Sequence, residues 1–150
     1  MRLLIQRVTH AEVEIGGRLH SQIGRGVVVL VGICAEDGRE DIEWLAGKLL
    51  RLRIFDDADG VMNLDVGQAG GRIMIVSQFT LQASTRKGNR PSYIKAAPEA
   101  VSRPLYEEFV ECVARMSGEP PATGVFGADM QLSLTNDGPV TIWIDSRNRE

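Results

Sequence analysis

The residues best placed to do chemistry are the polar side chains of Ser77, Gln78 and Thr80, because they follow a strongly apolar segment. Residues 72–79 read Arg-Ile-Met-Ile-Val-Ser-Gln-Phe, which predicts a buried strand that ends at Thr80. Functional groups of α/β folds often lie at the carboxyl ends of strands, so Ser77, Gln78, Phe79 and Thr80 form a candidate site. The same pattern also fits a strand that becomes polar where it meets solvent.

Other catalytic side chains are scarce. The chain has two histidines, His10 and His20, and neither lies near a serine or cysteine motif. A Ser-His-Asp or Cys-His arrangement would have to use one of them. The sequence lacks a nucleophile elbow, a phosphate-binding loop and a dinucleotide fingerprint, and it shows no metal-ligand spacing. We therefore expect no cofactor and no metal, and a chemistry that depends on backbone groups or on the substrate.

A second unusual segment is Asn136-Asp137-Gly138-Pro139-Val140-Thr141. Asp-Gly between two alternating apolar segments predicts a hairpin turn, but a proline at the start of the returning strand is unusual. Proline is also the residue that makes a cis peptide bond accessible, so Gly138-Pro139 is a candidate cis bond. Such a bond would direct two neighbouring carbonyls to the same side and form a rigid wall of oxygen atoms.

Charge is unevenly distributed along the chain. In total, 17 Lys and Arg against 20 Asp and Glu give a net charge of −3, which argues against generic polyanion binding. Residues 66–98, however, contain no acidic residue and carry +5, so the remainder carries −8. Arg86, Lys87 and Arg90 lie in the loop after Ser77–Thr80 and could hold phosphates there, although a solvated basic loop fits the sequence as well.

The elements that must position these residues form one α/β domain. The 150 residues are 43% hydrophobic and 25% charged, which is typical of a single globular domain spanning 1–150. Apolar residues at helical spacing predict a helix after the acidic turn at Glu40 and another that is capped by Ser102, with Pro104 in its first turn. Alternating or continuous apolar segments predict five or six strands, including 3–15, 27–33, 72–79, 130–134 and 140–144. We expect a mostly antiparallel sheet or open β-barrel with two packed helices.

Compartment and redox state follow from the remaining features. Cys34 and Cys112 lie in apolar segments, which predicts two reduced core thiols. No apolar segment approaches the length of a membrane span, and no signal peptide is recognisable, so we expect a cytoplasmic protein without membrane contact. The acidic stretch 55–60 does not match the ligand positions of a calcium loop and predicts a plain turn.

Together these segments resemble the D-aminoacyl-tRNA deacylase family, also called D-tyrosyl-tRNA deacylase. The resemblance covers nearly the whole chain, and both of its main signatures are intact. It rests on Arg2 to Val8 with Gln6-Arg7-Val8, on Leu52-Arg53-Ile54-Phe55, Ser77-Gln78-Phe79-Thr80-Leu81 and Arg86-Lys87-Gly88-Asn89-Arg90-Pro91-Ser92, and on Thr123-Gly124, Phe126-Gly127-Ala128 and Asn136-Asp137-Gly138-Pro139-Val140-Thr141.

The resemblance implies a homodimer with two active sites at the subunit interface. In each site Ser77–Thr80 of one subunit would face Gly138 and Pro139 of the other. The implied substrate is a tRNA acceptor end that carries a D-amino acid in ester linkage, and the products are free D-amino acid and free tRNA. An L side chain would clash with the carbonyl wall, whereas glycine would not, so glycyl-tRNA, notably glycine misloaded on the alanine tRNA, is an implied second substrate.

Two mechanisms remain open at this point. Thr80 could be the nucleophile, or the 2′-hydroxyl of the substrate could activate water or attack while N–H groups near Phe79 and Thr80 hold the oxyanion; the missing histidine and the family favour the second. Arg7 and Asn136 are expected to support the Gly138-Pro139 segment, although a surface salt bridge also fits Arg7. Competing functions are a Ser/Thr-dependent esterase of small esters and a non-enzymatic RNA-binding module that uses the basic loop.

Overall fold

A six-stranded sheet forms the centre of the molecule. The structure, a computed structural model, describes residues 1–149. The strands run in the order β2-β1-β3-β6-β7, with β8 paired to the other side of β1, while β4 and β5 form a separate hairpin. Their bounds are β1 Arg2–Ile15, β2 Arg18–Ile23, β3 Gly26–Gly32, β4 Phe55–Asp56, β5 Met62–Leu64, β6 Arg72–Ser77, β7 Ala122–Thr123 and β8 Gln131–Asp145.

The sheet curls into a nearly closed barrel. β1 pairs antiparallel with β8 along one edge, and with β3 and then β2 along the other, whereas β3-β6 and β6-β7 are parallel. The Ser21 hydroxyl of β2 donates to the Thr123 carbonyl of β7 at 2.8 Å, which joins the two ends of the strand order. The expected fold class, a mostly antiparallel sheet or open barrel with two helices, is confirmed.

Alternate side chains of the sheet enter two separate cores, as the two-residue period of a strand requires. In β3, Val27 and Val29 face the helices and Val28 faces the barrel interior. In β6, Ile75 likewise faces the helices and Met74 faces the barrel interior. Because both faces of β3 and β6 are covered, these strands read as continuous apolar segments in the sequence.

Two helices cover one face of the sheet: α1 (Arg39–Arg51) and α2 (Glu99–Ser117). Ile42, Leu45 and Leu49 of α1 and Phe109 of α2 are at most 2% exposed. Burial of each such side chain contributes about 1.5–3 kcal/mol, so this stripe anchors the helix layer. Neither helix is long and apolar enough to cross a membrane.

Three boundaries differ from the sequence-based expectation, and the first lies at the candidate site. β6 ends at Ser77 rather than Phe79, and Phe79–Gln82 form a 3-10 helix. Gln78 N–H still donates to the Val31 carbonyl of β3, at 2.7 Å. Beyond Gln78 the chain leaves the sheet, because Leu81 N–H turns back and donates to the Gln78 carbonyl. Phe79 and Thr80 therefore project from a tight turn instead of a strand.

The start of α2 was also predicted wrongly. The helix begins at Glu99, because the Pro98 carbonyl accepts hydrogen bonds from the N–H groups of Val101 and Ser102, both at 2.9 Å. Ser102 is thus inside the helix, and its hydroxyl donates back to the Pro98 carbonyl at 3.1 Å. Pro104 is therefore the sixth residue of the helix and not in its first turn as predicted, so its missing N–H removes one hydrogen bond of the helix.

The third difference concerns residues 136–139, which do not form a hairpin turn. Both flanking segments pair with β1 in the same direction, Asn136 opposite Val8 and Thr141 opposite Gln6, within the single strand β8. The residues between Asn136 and Thr141 are therefore an insertion that bulges out of one continuous strand. A hairpin and such a bulge look alike in sequence, because both interrupt an alternating apolar pattern with turn residues.

Candidate active site

A pocket of about 220 Å³ opens at the carboxyl end of β6. Its lining comes from the ends of the neighbouring strands β3 and β6, from Gln78 and Phe79 just after β6, from the region of the start of α2, and from the loop between β7 and β8. The lining is mostly apolar: Val31, Ile33, Ser77, Gln78, Phe79, Ala97, Ser102, Phe126, Gly127, Ala128 and Met130.

The 3-10 helix arranges the polar groups at this pocket. Gln78 Nε2 donates to Thr80 Oγ1 at 2.5 Å, so the hydroxyl oxygen faces an amide donor. The N–H groups of Phe79 and Thr80 stand at the start of the 3-10 helix, where that helix offers them no carbonyl. Such paired N–H groups can stabilise an oxyanion.

Side-chain hydrogen bonds hold the 3-10 helix in place. Gln82, which is 3% exposed, donates from Nε2 to the Gly32 carbonyl at 2.9 Å. Arg2 donates from one guanidinium nitrogen to the Leu81 carbonyl at 2.9 Å and from Nε to Asp145 Oδ2 at 2.8 Å. Burial works to raise the pKa of Asp145, but hydrogen bonds from Arg2 and from the backbone outweigh it, so the pKa is lowered and the carboxylate stays ionised.

The other candidate nucleophiles and bases do not enter this site. Burial, together with a hydrogen bond to Asp37, raises the pKa of the Cys34 thiol to about 11, so it is protonated near neutral pH. Cys34 and Cys112 are both buried and free, which confirms the predicted core thiols. His10 and His20 are exposed on the N-terminal hairpin. Among residues 1–149, no three His, Cys, Asp or Glu side chains converge as around a metal ion.

The basic loop is tied to the edge of the pocket. Ser84 and Ser92 exchange two backbone hydrogen bonds, at 2.8 and 2.9 Å, which close the loop at its base. The rings of Phe79 and Tyr93 then meet edge to face with centroids 5.1 Å apart, which brings the base of the loop beside the pocket. Within the described part of the chain, the Arg86, Lys87 and Arg90 side chains are exposed and form no ion pair or hydrogen bond.

The Gly138-Pro139 peptide bond is cis and lies on the exposed side of the bulge in β8. Arg7 is 7% exposed and donates from Nε to the Asp137 carbonyl at 3.3 Å, and from a terminal nitrogen to the Ile54 carbonyl at 2.6 Å. Asn136 Nδ2 donates to the carbonyls of Arg7 and Val140, both at 2.9 Å. Arg7 and Asn136 thus tie both ends of the bulge to β1.

A single chain does not bring the two signature segments together. Neither Gly138 nor Pro139 lines the pocket beside Ser77. β8 and β6 are separated by β1 and β3, which is about 14 Å along the sheet at the usual strand spacing. Met130, just before β8, does reach the pocket, whereas the bulge lies much further along that strand.

Several pocket residues were not identified from the residue pattern. Phe126, Gly127 and Ala128 entered only through the family resemblance, and Ala97, Ser102 and Met130 were not predicted to line a site. The Phe126 ring packs against the Tyr106 ring at 5.6 Å and lies 4.9 Å from the Arg103 guanidinium, so the loop before β8 is fixed by contacts with α2. No local pattern encodes these contacts, because they join residues distant in sequence.

Comparison with known proteins identifies the class. The family model described as D-Tyr-tRNA(Tyr) deacylase matches residues 4–145. The D-aminoacyl-tRNA deacylases of Parabacteroides distasonis and Bacteroides thetaiotaomicron are 60% and 56% identical to this chain over 150 residues, the full length of both partners. The solved structure of a c-Myc DNA Unwinding Element Binding Protein is 41% identical, with a TM-score of 0.92 over 97% of this chain and 98% of that one.

The chain belongs to the D-Tyr-tRNA(Tyr) deacylase family, which confirms the resemblance seen in the sequence. Membership makes it an enzyme of the hydrolase class.

Proposed function

We propose that this chain, a D-aminoacyl-tRNA deacylase by family, hydrolyses the ester with the pocket beside Ser77–Thr80 as its reaction centre. Water adds to the ester carbonyl, the bond to the 3′ oxygen of the terminal adenosine breaks, and a proton returns to that oxygen. The products are free D-amino acid and free tRNA. The observation that carries this proposal is the start of the 3-10 helix beside a mostly apolar pocket that Phe79 lines: within residues 1–149 the N–H groups of Phe79 and Thr80 donate to no acceptor.

Activation of the water falls to the substrate. Thr80 Oγ1 accepts a hydrogen bond from the Gln78 side-chain amide, and an amide nitrogen that donates cannot take a proton from the hydroxyl. Gln78 is therefore not a base for a threonine nucleophile, whereas the 2′-hydroxyl of the terminal ribose is adjacent to the ester. The N–H groups of Phe79 and Thr80 stabilise the oxyanion, and removal of one such donor typically costs about 2.7 to 4 kcal/mol.

Chirality is selected by a second copy of the chain. The exposed bulge of one subunit supplies Gly138 and Pro139 to the pocket of its partner, since within one chain the two segments lie apart. At a D-configured Cα the hydrogen atom faces the carbonyl wall and the side chain points outward. An L side chain would have to occupy the wall, so rejection is steric and D side chains of many sizes are accepted. Arg7 and Asn136 hold the bulge in this form.

Glycine passes the same filter, because it has no side chain to clash with the wall. We therefore include glycyl-tRNA, notably glycine misloaded on the alanine tRNA, among the substrates. Arg86, Lys87 and Arg90 hold phosphates of the acceptor end beside the pocket, and the reaction takes place in the cytoplasm. The chain acts there as one domain over residues 1–150 and as a homodimer.

The proposal is tested with purified protein on tyrosyl-tRNA charged with the D or the L amino acid and on glycyl-tRNA. We expect release of D-tyrosine and of glycine, with L-tyrosyl-tRNA left intact. In the variant Gly138→Ala, the new Cβ would lie 2.9 Å from an Arg7 guanidinium nitrogen at a φ of +115°, so the wall must shift. We expect its preference for D over L to fall at least about tenfold.

Gly17→Ala is the matched control, because Gly17 also has a positive φ, of +73°, but no atom within 4 Å of the added Cβ. It should keep the preference of the wild type. Activity on small esters with none on charged tRNA would instead favour a Ser/Thr-dependent esterase. Binding of tRNA without release of any amino acid would favour a non-enzymatic RNA-binding module.

A further inference from the structure

An exposed apolar patch lies beside the pocket, and two of its three side chains have no role in the reaction described above. It consists of Phe79, Tyr93 and Ile94, whose exposed fractions are 58%, 40% and 90%, and we name it the stacking patch. The Phe79 and Tyr93 rings meet edge to face at an angle of 68°, and 40% of Tyr93 stays exposed to solvent. Because Phe79 also lines the pocket, the stacking patch begins at the pocket mouth.

The stacking patch is displayed on a segment fixed at both ends. On one side, Ser92 is bonded to Ser84 through two backbone hydrogen bonds. On the other side, Ala97 N–H donates to the Ile33 carbonyl at 2.9 Å, and Ala96 N–H closes a turn onto the Tyr93 carbonyl at 2.9 Å. The turn places Ile94 at its corner, so an apolar side chain is presented to solvent by a rigid backbone.

Unpaired positive charge surrounds the stacking patch. Within residues 1–149, Arg90 and Lys95 form no ion pair, hydrogen bond or contact with an aromatic ring. No acidic residue occurs between 66 and 98, so this charge is not neutralised by its own segment. An apolar surface bordered by free cations fits a partner that is both flat and anionic.

A second cavity adjoins the stacking patch. Ile94 and Lys95 border a cavity of about 410 Å³ that lies across the Cys34-Ala96 bridge from the pocket. Arg2 and Arg147 line the same cavity together with Glu36 and Asp145, and both arginines are paired, Arg2 with Asp145 and Arg147 with Asp37. Lys95 forms no ion pair within residues 1–149, so a chain whose last unit occupies the pocket can cross the stacking patch and reach a free cation at the edge of this cavity.

We propose that Tyr93 and Ile94 stack against the unpaired nucleotides that precede the terminal adenosine, while Lys95 and Arg90 hold their phosphates. This inference rests on the proposed function, because it assigns a further contact to the same tRNA substrate. Exposed aromatic rings interleaved with cations are how proteins bind single-stranded nucleic acid without reading its sequence. The cations disfavour a second copy of this segment as the occupant, since two +5 surfaces repel each other.

The test measures the wild type, Tyr93→Ala and Tyr93→Trp on two substrates and one RNA ligand. The substrates are D-tyrosyl-tRNA and D-tyrosyl-adenosine, the ester that lacks the preceding nucleotides. We expect Tyr93→Ala to raise KM for the tRNA about tenfold more than KM for the nucleoside ester, with kcat retained, as for loss of one stacked base. Tyr93→Trp should restore the tRNA value, because it keeps a ring at this position.

Binding of an uncharged single-stranded RNA that ends in CCA is measured in parallel, by fluorescence anisotropy. This readout does not depend on turnover, so it tests the stacking patch even if neither substrate is hydrolysed and the proposed function fails. We expect Tyr93→Ala to weaken this binding about tenfold and to leave binding of a blunt RNA duplex unchanged. Leu19→Ala is the control, because Leu19 is 53% exposed at the far end of the sheet.

Three results would overturn the inference. Equal losses on tRNA and on the nucleoside ester would mean that Tyr93 acts only by positioning Phe79. A change in oligomeric state of Tyr93→Ala, seen by analytical ultracentrifugation, would mean that a second copy covers the stacking patch. An unchanged affinity for the CCA-ended strand would exclude base stacking at this position.

Discussion

The hydroxyl of Thr80 accepts a hydrogen bond from the Gln78 amide at 2.5 Å, and this contact limits what Thr80 can do. A hydroxyl becomes a nucleophile when a neighbouring base removes its proton. Gln78 supplies a donor instead, and the chain's two histidines are exposed on the N-terminal hairpin. At the scale of single residues, this arrangement supports our proposal that the site positions an ester and does not attack it with a side chain.

We predict that Thr80→Ala keeps most of its turnover, whereas a D-aminoacyl-tRNA that ends in 2′-deoxyadenosine loses about 10²-fold or more in kcat. The physical reason is that the 2′-hydroxyl is the group closest to the ester that can activate water. Single-turnover release of labelled amino acid measures both effects. Abolished turnover of Thr80→Ala together with normal turnover of the 2′-deoxy substrate would reverse the assignment.

At the scale of elements, the site depends on how closely the 3-10 helix Phe79–Gln82 approaches β3. A Cβ at Gly32 would lie 2.7 Å from the Leu81 Cβ and 3.0 Å from the Gln78 carbonyl oxygen. Gln82 also bonds to the Gly32 carbonyl. A glycine at this position of β3 therefore permits the contact that sets the direction of Phe79 and Thr80.

We predict that Gly32→Ala lowers the free energy of unfolding by about 1–3 kcal/mol, the usual cost of overpacking. We also expect a lower kcat under conditions in which the variant is still fully folded. The added methyl group must push the 3-10 helix away from β3, which displaces the N–H groups of Phe79 and Thr80. Urea denaturation and steady-state kinetics measure the two effects.

Gly24→Ala is the matched control, because an added Cβ there meets no atom within 4 Å. It should retain both the stability and the activity of the wild type. Full activity of Gly32→Ala at reduced stability would show that the contact serves the fold alone.

At the scale of the whole molecule, we propose that this acidic protein binds its anionic substrate through a local concentration of charge. The net charge of −3 combines a +5 segment beside the pocket with a −8 remainder. Half of the twelve Lys and Arg outside that segment form ion pairs within residues 1–149, as Arg103 does with Glu99 and Arg39 with Glu43. Inside the segment, Arg72 is paired with Glu119. Binding should therefore be confined to the acceptor end and should be sensitive to salt.

We predict that replacing Arg86, Lys87 and Arg90 together by alanine lowers the slope of log KM against log salt by about 2 to 3, because each phosphate contact contributes about 0.7 to 0.9. An unchanged kcat at saturating tRNA would show that the reaction centre of the triple variant is intact. Arg18→Ala is the control, since this exposed arginine lies at the far end of the sheet. A slope equal to that of the wild type would assign the loop to solvent.

The sequence by itself determined the fold class, both helices, the long strands β1, β3 and β6, and the two segments that carry the family resemblance, whereas the short strands β4, β5 and β7 were not predicted. These features depend on local patterns: alternating or continuous apolar residues, helical spacing, and turn residues next in sequence. The two-sided burial of β3 and β6 was readable for the same reason, because a strand covered on both faces has no polar alternation.

Only the tertiary structure decided where these local features stop and what they meet. It ended β6 at Ser77, moved the start of α2 to Glu99, and turned the expected hairpin at Gly138-Pro139 into a bulge of β8. Each of these results depends on pairing between residues far apart in sequence, and a local pattern does not contain the partner. The stacking patch has the same origin, because Phe79 and Tyr93 meet only when the basic loop folds back on its own base.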